Sequence, residues 1–373
     1  MGIALQKFIS ALMSFILAFS SLIGISTEKK IQNVILLIGD GMGEMHLEMT
    51  EEMRDVSLTI NTLPQQGKSI TRSANKDVTD SAAGATAIAC GVKTANGMIG
   101  MYWKNDPAHK NSSYSYPKNL TEACKENGLK TGIITTDDLS GATPGAFTAH
   151  TSSRKNYNDI TSQQLQSGFD IIWGKADGTL TEEQVTKAGY TYIDTIYEMN
   201  ALTGNEKSYG MFTSSLHHVY NENIYTPTLS QMTSKAIGLL DSSADKGFFL
   251  MVEGAHIDKK SHDQDEKGAA EALEEFDNAV KVALDFAKSD GHTLVIVTAD
   301  HESGGLILNA NGEYEMTTDN HTGVNVPLRA YAPHDYTFIE QGEAIDNTQI
   351  SIRIIKALEL PGSSVPCEVV NFP

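Results

Sequence analysis

Cysteine is scarce. The 373-residue chain has three, Cys90, Cys124 and Cys367, so at most one disulfide can form and one thiol is left over. That excludes a disulfide-stapled scaffold, and stability must come from a core, which a chain of this length can bury. Cys90 and Cys124 fall in helical patterns and read as small buried apolar residues. Basic residues are also few, 28 Lys and Arg against 47 Asp and Glu, for a formal net charge of −19 with no basic run longer than two. Such a balance argues against a nucleic-acid-binding module, which needs clustered positive charge, and suits bound cations or basic partners. Low-complexity tracts and internal repeats are lacking too, and 40% hydrophobic with 20% charged residues is ordinary globular content.

What is present begins with residues 1–26, which carry one charge, Lys7, then an apolar region from Phe8 to Ile23 and the small-x-small triplet Gly24-Ile25-Ser26. The pattern predicts an export signal, with a single membrane anchor as the competing reading, and hence a periplasmic or secreted protein whose residues 27–373 form one domain.

Within that domain, short apolar runs rich in β-branched residues predict buried parallel strands at Asn33–Ile38, Lys130–Thr135, Gly247–Val252 and Thr293–Thr298. Helical spacing separates them, notably Leu229–Leu240 and the Ala269, Leu273, Phe276, Val280, Ala283, Ala287 series. This is an α/β rhythm. Residues 156–225 are less regular and yield no chemistry; His217-His218 within them reads as a surface pair.

Three of the strands end in groups that carry chemistry: Asp40 between glycines, Glu253, and Asp300-His301. A parallel sheet gathers such endings along one edge, where ligands collect. Asp258 and His262, four apart after Glu253, can share one face of a helical turn, a carboxylate–imidazole pair suited to zinc. His321 precedes the last strand-like run, Val326–Tyr331, and can reach the same edge. Each alone has a bland reading: an Asx turn for Asp40, a surface ion pair for Asp258 and His262. Together they amount to ligands for several metal ions, imidazole and carboxylate for Zn²⁺ and an oxygen-only subset with a hydroxyl for Mg²⁺.

Ser81 opens an Ala-rich run, Ala82 to Cys90, closed by Gly91. The run predicts a closely packing helix with Asp80 or Ser81 at its start, where backbone N–H groups and the helix dipole favour a phosphate. Taken locally, Ser81 is a helix cap. An adjacent metal ion, which lowers the pKa of a hydroxyl, would instead make it a nucleophile without a histidine base. Arg154 reads as a solvated side chain unless a phosphate lies near, when its planar guanidinium can bind two oxygens at once.

The stretches Asn33–Gly43, Asp77–Gly91, Ala142-Thr143-Pro144 through Arg154, Val252–His262, Thr298–Gly305 and His321-Thr322-Gly323 together resemble the alkaline phosphatases over nearly the whole chain after residue 26. The resemblance implies a three-layer α/β/α sandwich around a largely parallel sheet, without large insertions. It implies that Ser81 is phosphorylated during turnover, that Arg154 clamps two phosphate oxygens, and that Lys259 contacts phosphate through water. One zinc would be held by Asp258, His262 and His321, and a second by Asp40, Asp300 and His301. Magnesium would sit with Asp40, Thr143 and Glu253. The implied reaction is hydrolysis of small-molecule phosphomonoesters by two displacements, releasing inorganic phosphate; the implied assembly is a homodimer. One position departs from the family pattern: Gly141, two residues before Thr143, stands where relatives often carry an Asp or His that supports magnesium through its water shell. A sulfatase is disfavoured because Ser81-Ala82-Ala83-Gly84-Ala85 lacks the proline and arginine that sulfatases place after their nucleophile.

Overall fold

The computed structural model describes residues 31–103, 115–213, 225–360 and 370–371. The expected export signal, His217-His218 and Cys367 lie outside them. The sheet strands are β1 (Asn33–Gly39), β2 (Gln65–Ile70), β3 (Lys130–Asp138), β4 (Ile171–Lys175), β5 (Thr191–Ile193), β6 (Ser208–Phe212), β7 (Phe248–Gly254), β8 (Thr293–Thr298), β9 (Val326–Tyr331) and β10 (Ala344–Asp346). They form one ten-stranded sheet in the order β10-β2-β9-β8-β1-β7-β3-β4-β6-β5. Every neighbouring pair is parallel except β9, which runs antiparallel to both β2 and β8.

The central strands are buried on both faces, so they read as unbroken apolar runs, and their period of two sorts side chains between two cores. Val34, Leu36 and Ile38 of β1, with Ile133, Met251 and Ile296, meet α1 (Ser81–Cys90), α2 (Ala142–Ala146) and α6 (Gln349–Ala357). On the other face Ile35, Leu37, Leu250 and Val297 pack against α3 (Leu229–Ser243) and α5 (Glu266–Asp290). The result is helix, sheet, helix. Helix α5 shows why: Leu273, Phe276, Val280, Ala283 and Ala287 recur at three- and four-residue steps and all are buried. Each buried Leu, Val or Phe of this kind contributes roughly 1.5–3 kcal/mol.

The stretch that sequence periodicity left irregular, 156–225, supplies β4, β6 and β5, which carry the sheet to one edge. These strands are three to five residues long, too short to show a period. Strand β2 was invisible for another reason: its sequence, Gln-Gln-Gly-Lys-Ser-Ile, is polar, and β9 and β10 pair it by backbone rather than by apolar side chains. Cys90 and Cys124 are buried free thiols, as their helical context implied. Among the described residues no helix is long and apolar enough to cross a membrane.

Candidate active site

The carboxyl ends of β1, β7, β3 and β8 stand side by side, with Ile38 in register with both Glu253 and Thr298, and Glu253 with Thr135. Parity matters here. Glu253 shares a face with Met251, so its carboxylate enters the layer holding α1 and α2 rather than the one holding α5. The turn after β1 carries Asp40 out of the sheet, and it needs Gly41: φ is +77°, and a Cβ there would stand 2.7 Å from Asp258 Cα. Asp258 and His262 lie on the short helix α4 (His256–His262). His321 belongs to a two-residue ribbon in which Glu302–Ser303 pairs antiparallel with His321–Thr322, the bend that returns it to the sheet edge.

Helix α1 begins as expected, but its cap is Asp80. The Asp80 carboxylate accepts from Ala83 N–H at 3.1 Å through Oδ1 and from Gly97 N–H at 2.9 Å through Oδ2. Ser81 is the first helical residue, so its hydroxyl is not spent on capping. It lies instead 3.1 Å from His301 Nε2. Asp80 Oδ2 also receives Arg154 Nη1 at 3.3 Å, which ties that guanidinium to the residue beside Ser81.

The histidines share one wiring. His262 Nδ1 lies 2.5 Å from the Asp319 carbonyl and His321 Nδ1 3.0 Å from the Thr79 carbonyl. Carbonyls only accept, so both rings carry their hydrogen on Nδ1 and present a lone pair at Nε2. Those two Nε2 atoms face one another at 3.1 Å, with the Asp258 carboxylate 3.4 Å from one and 3.6 Å from the other. His301 is alike: the Ser303 hydroxyl donates to Asp258, so its oxygen accepts from His301 Nδ1 at 3.3 Å. The Nε2 lone pair of this fully buried ring then faces Asp300 Oδ2 at 3.2 Å and Asp40 Oδ1 at 3.4 Å.

Lone pairs converging on lone pairs and carboxylates repel unless a cation sits among them. The orphaned atoms lie at the same positions: Asp40 Oδ1, Asp300 Oδ2, Glu253 Oε1 and Thr143 Oγ1 are buried without a hydrogen bond, which costs about 1–3 kcal/mol each, and more where the group is charged. Among the described residues two groupings have donor atoms close enough to share one ion, Asp258–His262–His321 and Asp40–Asp258–His301. The first is the set expected from sequence. In the second Asp258 stands where Asp300 was expected, so Asp258 faces both groupings, while Asp300 flanks His301.

Burial shifts these groups strongly. Desolvation first, then the charges of Asp300, Asp258 and Glu253, hold the Asp40 carboxyl well above its ordinary range. Burial and then Asp137 push Glu253 up to about 8; burial and then Asp258 push Asp300 to about 7. His301 is held well below 6.5, by burial and then by His321, and stays neutral. Lys259 ion-pairs with Asp137. The reading from sequence gave no role to Asp137 or Ser303, and saw Asp80 as a possible helix start but not as the anchor of Arg154. Asp137 had a signal, since it follows the apolar part of β3 as Asp40 follows β1; Ser303 had none.

A parallel sheet with a serine at a helix start, an anchored arginine and converging imidazoles and carboxylates at its carboxyl edge defines a metal-binding hydrolase. A model of the alkaline phosphatase family matches residues 31–174 and 169–318. Alkaline phosphatase 4 of Bacillus subtilis is 37% identical over 309 residues, 76% of this chain but only 64% of its own length. Alkaline phosphatase 3 of the same organism is 31% identical across 89% of this chain and 90% of its own, and the Escherichia coli K12 enzyme 32% across 83% and 82%. The alkaline phosphatase of the Antarctic bacterium TAB5 superposes with a TM-score of 0.76 at 29% identity, over 89% of this chain and 99% of that one. A variant of that enzyme has been solved with magnesium bound. The chain belongs to the alkaline phosphatase family, whose members are phosphomonoester hydrolases.

Proposed function

We propose that the protein hydrolyses phosphomonoesters broadly through a phosphoserine on Ser81, at a site that holds two zinc ions and one magnesium ion. The observation that carries this reading is the convergence of the His262, His321 and His301 lone pairs with Asp40, Asp258 and Asp300, beside the Ser81 hydroxyl. Asp258, His262 and His321 would hold one zinc. Asp40, Asp300 and His301 would hold the other, with Asp258 in reach of both. The orphaned Glu253 and Thr143 oxygens, with Asp40, offer the oxygen-only set that magnesium prefers. The ions, when bound, lower the pKa of the Ser81 hydroxyl and of a water and screen the phosphate oxygens.

The chain's own residues do the rest. Arg154, pinned by Asp80, clamps two phosphate oxygens and turns phosphorus toward Ser81. Ser81 Oγ forms the bond to phosphorus as the ester oxygen leaves with its alcohol; water then attacks the phosphoserine and releases inorganic phosphate, restoring the hydroxyl. The alcohol group is not gripped by this chemistry, which supports broad tolerance. Lys259 lies at the rim. Residues 1–26 would direct export, and a homodimer is the assembly the family resemblance supports.

The test is hydrolysis of a phosphorus-labelled aryl phosphate, quenched in acid. Label is expected on the Ser81 peptide. Ser81→Ala should lose the label and about 10⁴-fold or more in turnover while keeping its metal content. Turnover of Ser81→Ala at the wild-type rate rejects the covalent route. The 3.1 Å Ser81–His301 contact favours a second reading, a metal-free pair in which His301 Nε2 takes the serine proton. Retained turnover in excess chelator would select it; the depressed basicity of His301 argues against it.

A further inference from the structure

The orphaned Glu253 and Thr143 oxygens have a neighbour assigned no role so far. Asp137 sits at the end of β3, its side chain about one-fifth exposed. Its backbone N–H donates to Thr135 Oγ1 at 2.8 Å, and the Thr135 hydroxyl donates to Glu253 Oε2, so one threonine links the main chain at Asp137 to the Glu253 carboxylate. Lys259 engages Asp137 Oδ1. The other oxygen, Oδ2, points at Gly141, the residue that opens the helix carrying Thr143: a Cβ at 141 would stand only 2.5 Å from it. The space a side chain at 141 would fill is thus taken by the Asp137 carboxylate. Its charge is also felt throughout the site, by Glu253, Asp40 and Arg154.

We propose that Asp137 is the carboxylate that completes the cation pocket formed by Glu253 and Thr143, supplying from β3 the negative charge that Gly141 lacks, and that it positions Lys259 at the rim. The inference rests on the three-cation reading above. Asp137 acts as a positioning residue, through the ion's water shell and through Lys259, and it does not touch the reacting atoms. Removing such a partner characteristically costs 10–100-fold in metal affinity.

The experiment is a magnesium titration of zinc-loaded protein, followed by calorimetry and by bound-metal analysis. Asp137→Asn, nearly isosteric, should weaken magnesium binding about tenfold or more while zinc content stays at the wild-type value. Gly141→Asp alone should not strengthen binding, because the new carboxylate meets Asp137. Combined with Asp137→Ala, it should recover magnesium retention that Asp137→Ala alone loses. Wild-type magnesium affinity in Asp137→Asn at full zinc content overturns the proposal alone. A wild-type protein that binds zinc but no magnesium overturns it together with the three-cation reading.

Discussion

Stripping the cations should invert how stability depends on pH. Glu253 and Asp300 ordinarily titrate near 4.5 and 3.8; folding raises them to about 8 and about 7. A carboxyl whose folded pKa lies above its unfolded value holds a proton that the unfolded chain releases. Between those values the folded state binds more protons, so stability falls as pH rises, by about 1.4 kcal/mol per pH unit and group. Below pH 4 the penalty is absent. Over the two units from pH 5 to 7, two such groups lose on the order of 5 kcal/mol, a large share of the 5–15 kcal/mol that holds a typical domain together. Asp40, raised in the same direction, adds to it. Bound cations reverse the sign, because they take the deprotonated ligands and release protons on binding. Thermal melts at pH 5, 6, 7 and 8, with chelator and with zinc plus magnesium, should therefore show two curves that separate as pH rises. Glu253→Gln removes one ionisation, so its cation-free melting temperature at pH 8 should exceed the wild type's although its metal site is damaged. A cation-free wild type as stable at pH 8 as at pH 5, or a Glu253→Gln protein with an unchanged slope, would refute this account of the carboxylates.

Three further outcomes follow from the packing. Gly84 of α1 faces the Asp300 backbone, and a Cβ there would stand 2.8 Å from its carbonyl oxygen; Gly84→Ala should cost roughly 1–3 kcal/mol in urea unfolding and lower kcat by displacing Asp300 and, with it, His301, which faces Ser81. Asp80→Ala removes the cap of α1 and the anchor of Arg154, so about 1 kcal/mol of stability should go, and inhibition by inorganic phosphate should weaken several-fold as the guanidinium loses its preorganised pose. His46, buried and pushed down to about 4 by desolvation, contributes stability that is whole above pH 6.5 and lost as pH falls toward 4. His46→Gln should flatten that acid limb by up to about 3 kcal/mol; an unchanged limb would mean that the ring is hydrated.

Much of the site was legible because strand ends and chemistry coincide. The apolar runs before Asp40, Glu253 and Asp300 needed only the rule that parallel strands align their carboxyl ends, and β1, β7 and β8 are adjacent. Ser81 was legible as a helix start, though its side chain could not be told apart from the cap, since Asp80 and Ser81 cap helices about equally well. Asp258 facing both ligand groupings was not legible: that depends on how α4 tilts against Gly41, a packing outcome with no sequence signature. The Nδ1 acceptors of His262 and His321 are main-chain carbonyls, which every residue owns. Asp137 was within reach of the rule already in use and was passed over because β3 runs on through Asp138, past its apolar part.

The wiring of His321 to the Thr79 carbonyl joins residues 242 positions apart, and the contact between Ser81 and His301 spans 220. Of the two histidine-containing ligand sets, Asp258–His262–His321 lies within one contiguous third of the chain, whereas Asp40–Asp258–His301 spans most of its length. During synthesis, then, the growing polypeptide completes neither histidine-containing set until its last quarter, with His301 and His321, emerges. Assembly of the centre is a late event of high contact order, slow by the same measure. The histidine-containing ligand sets thus come together only after the strands that carry them, at the end of chain growth rather than at its start.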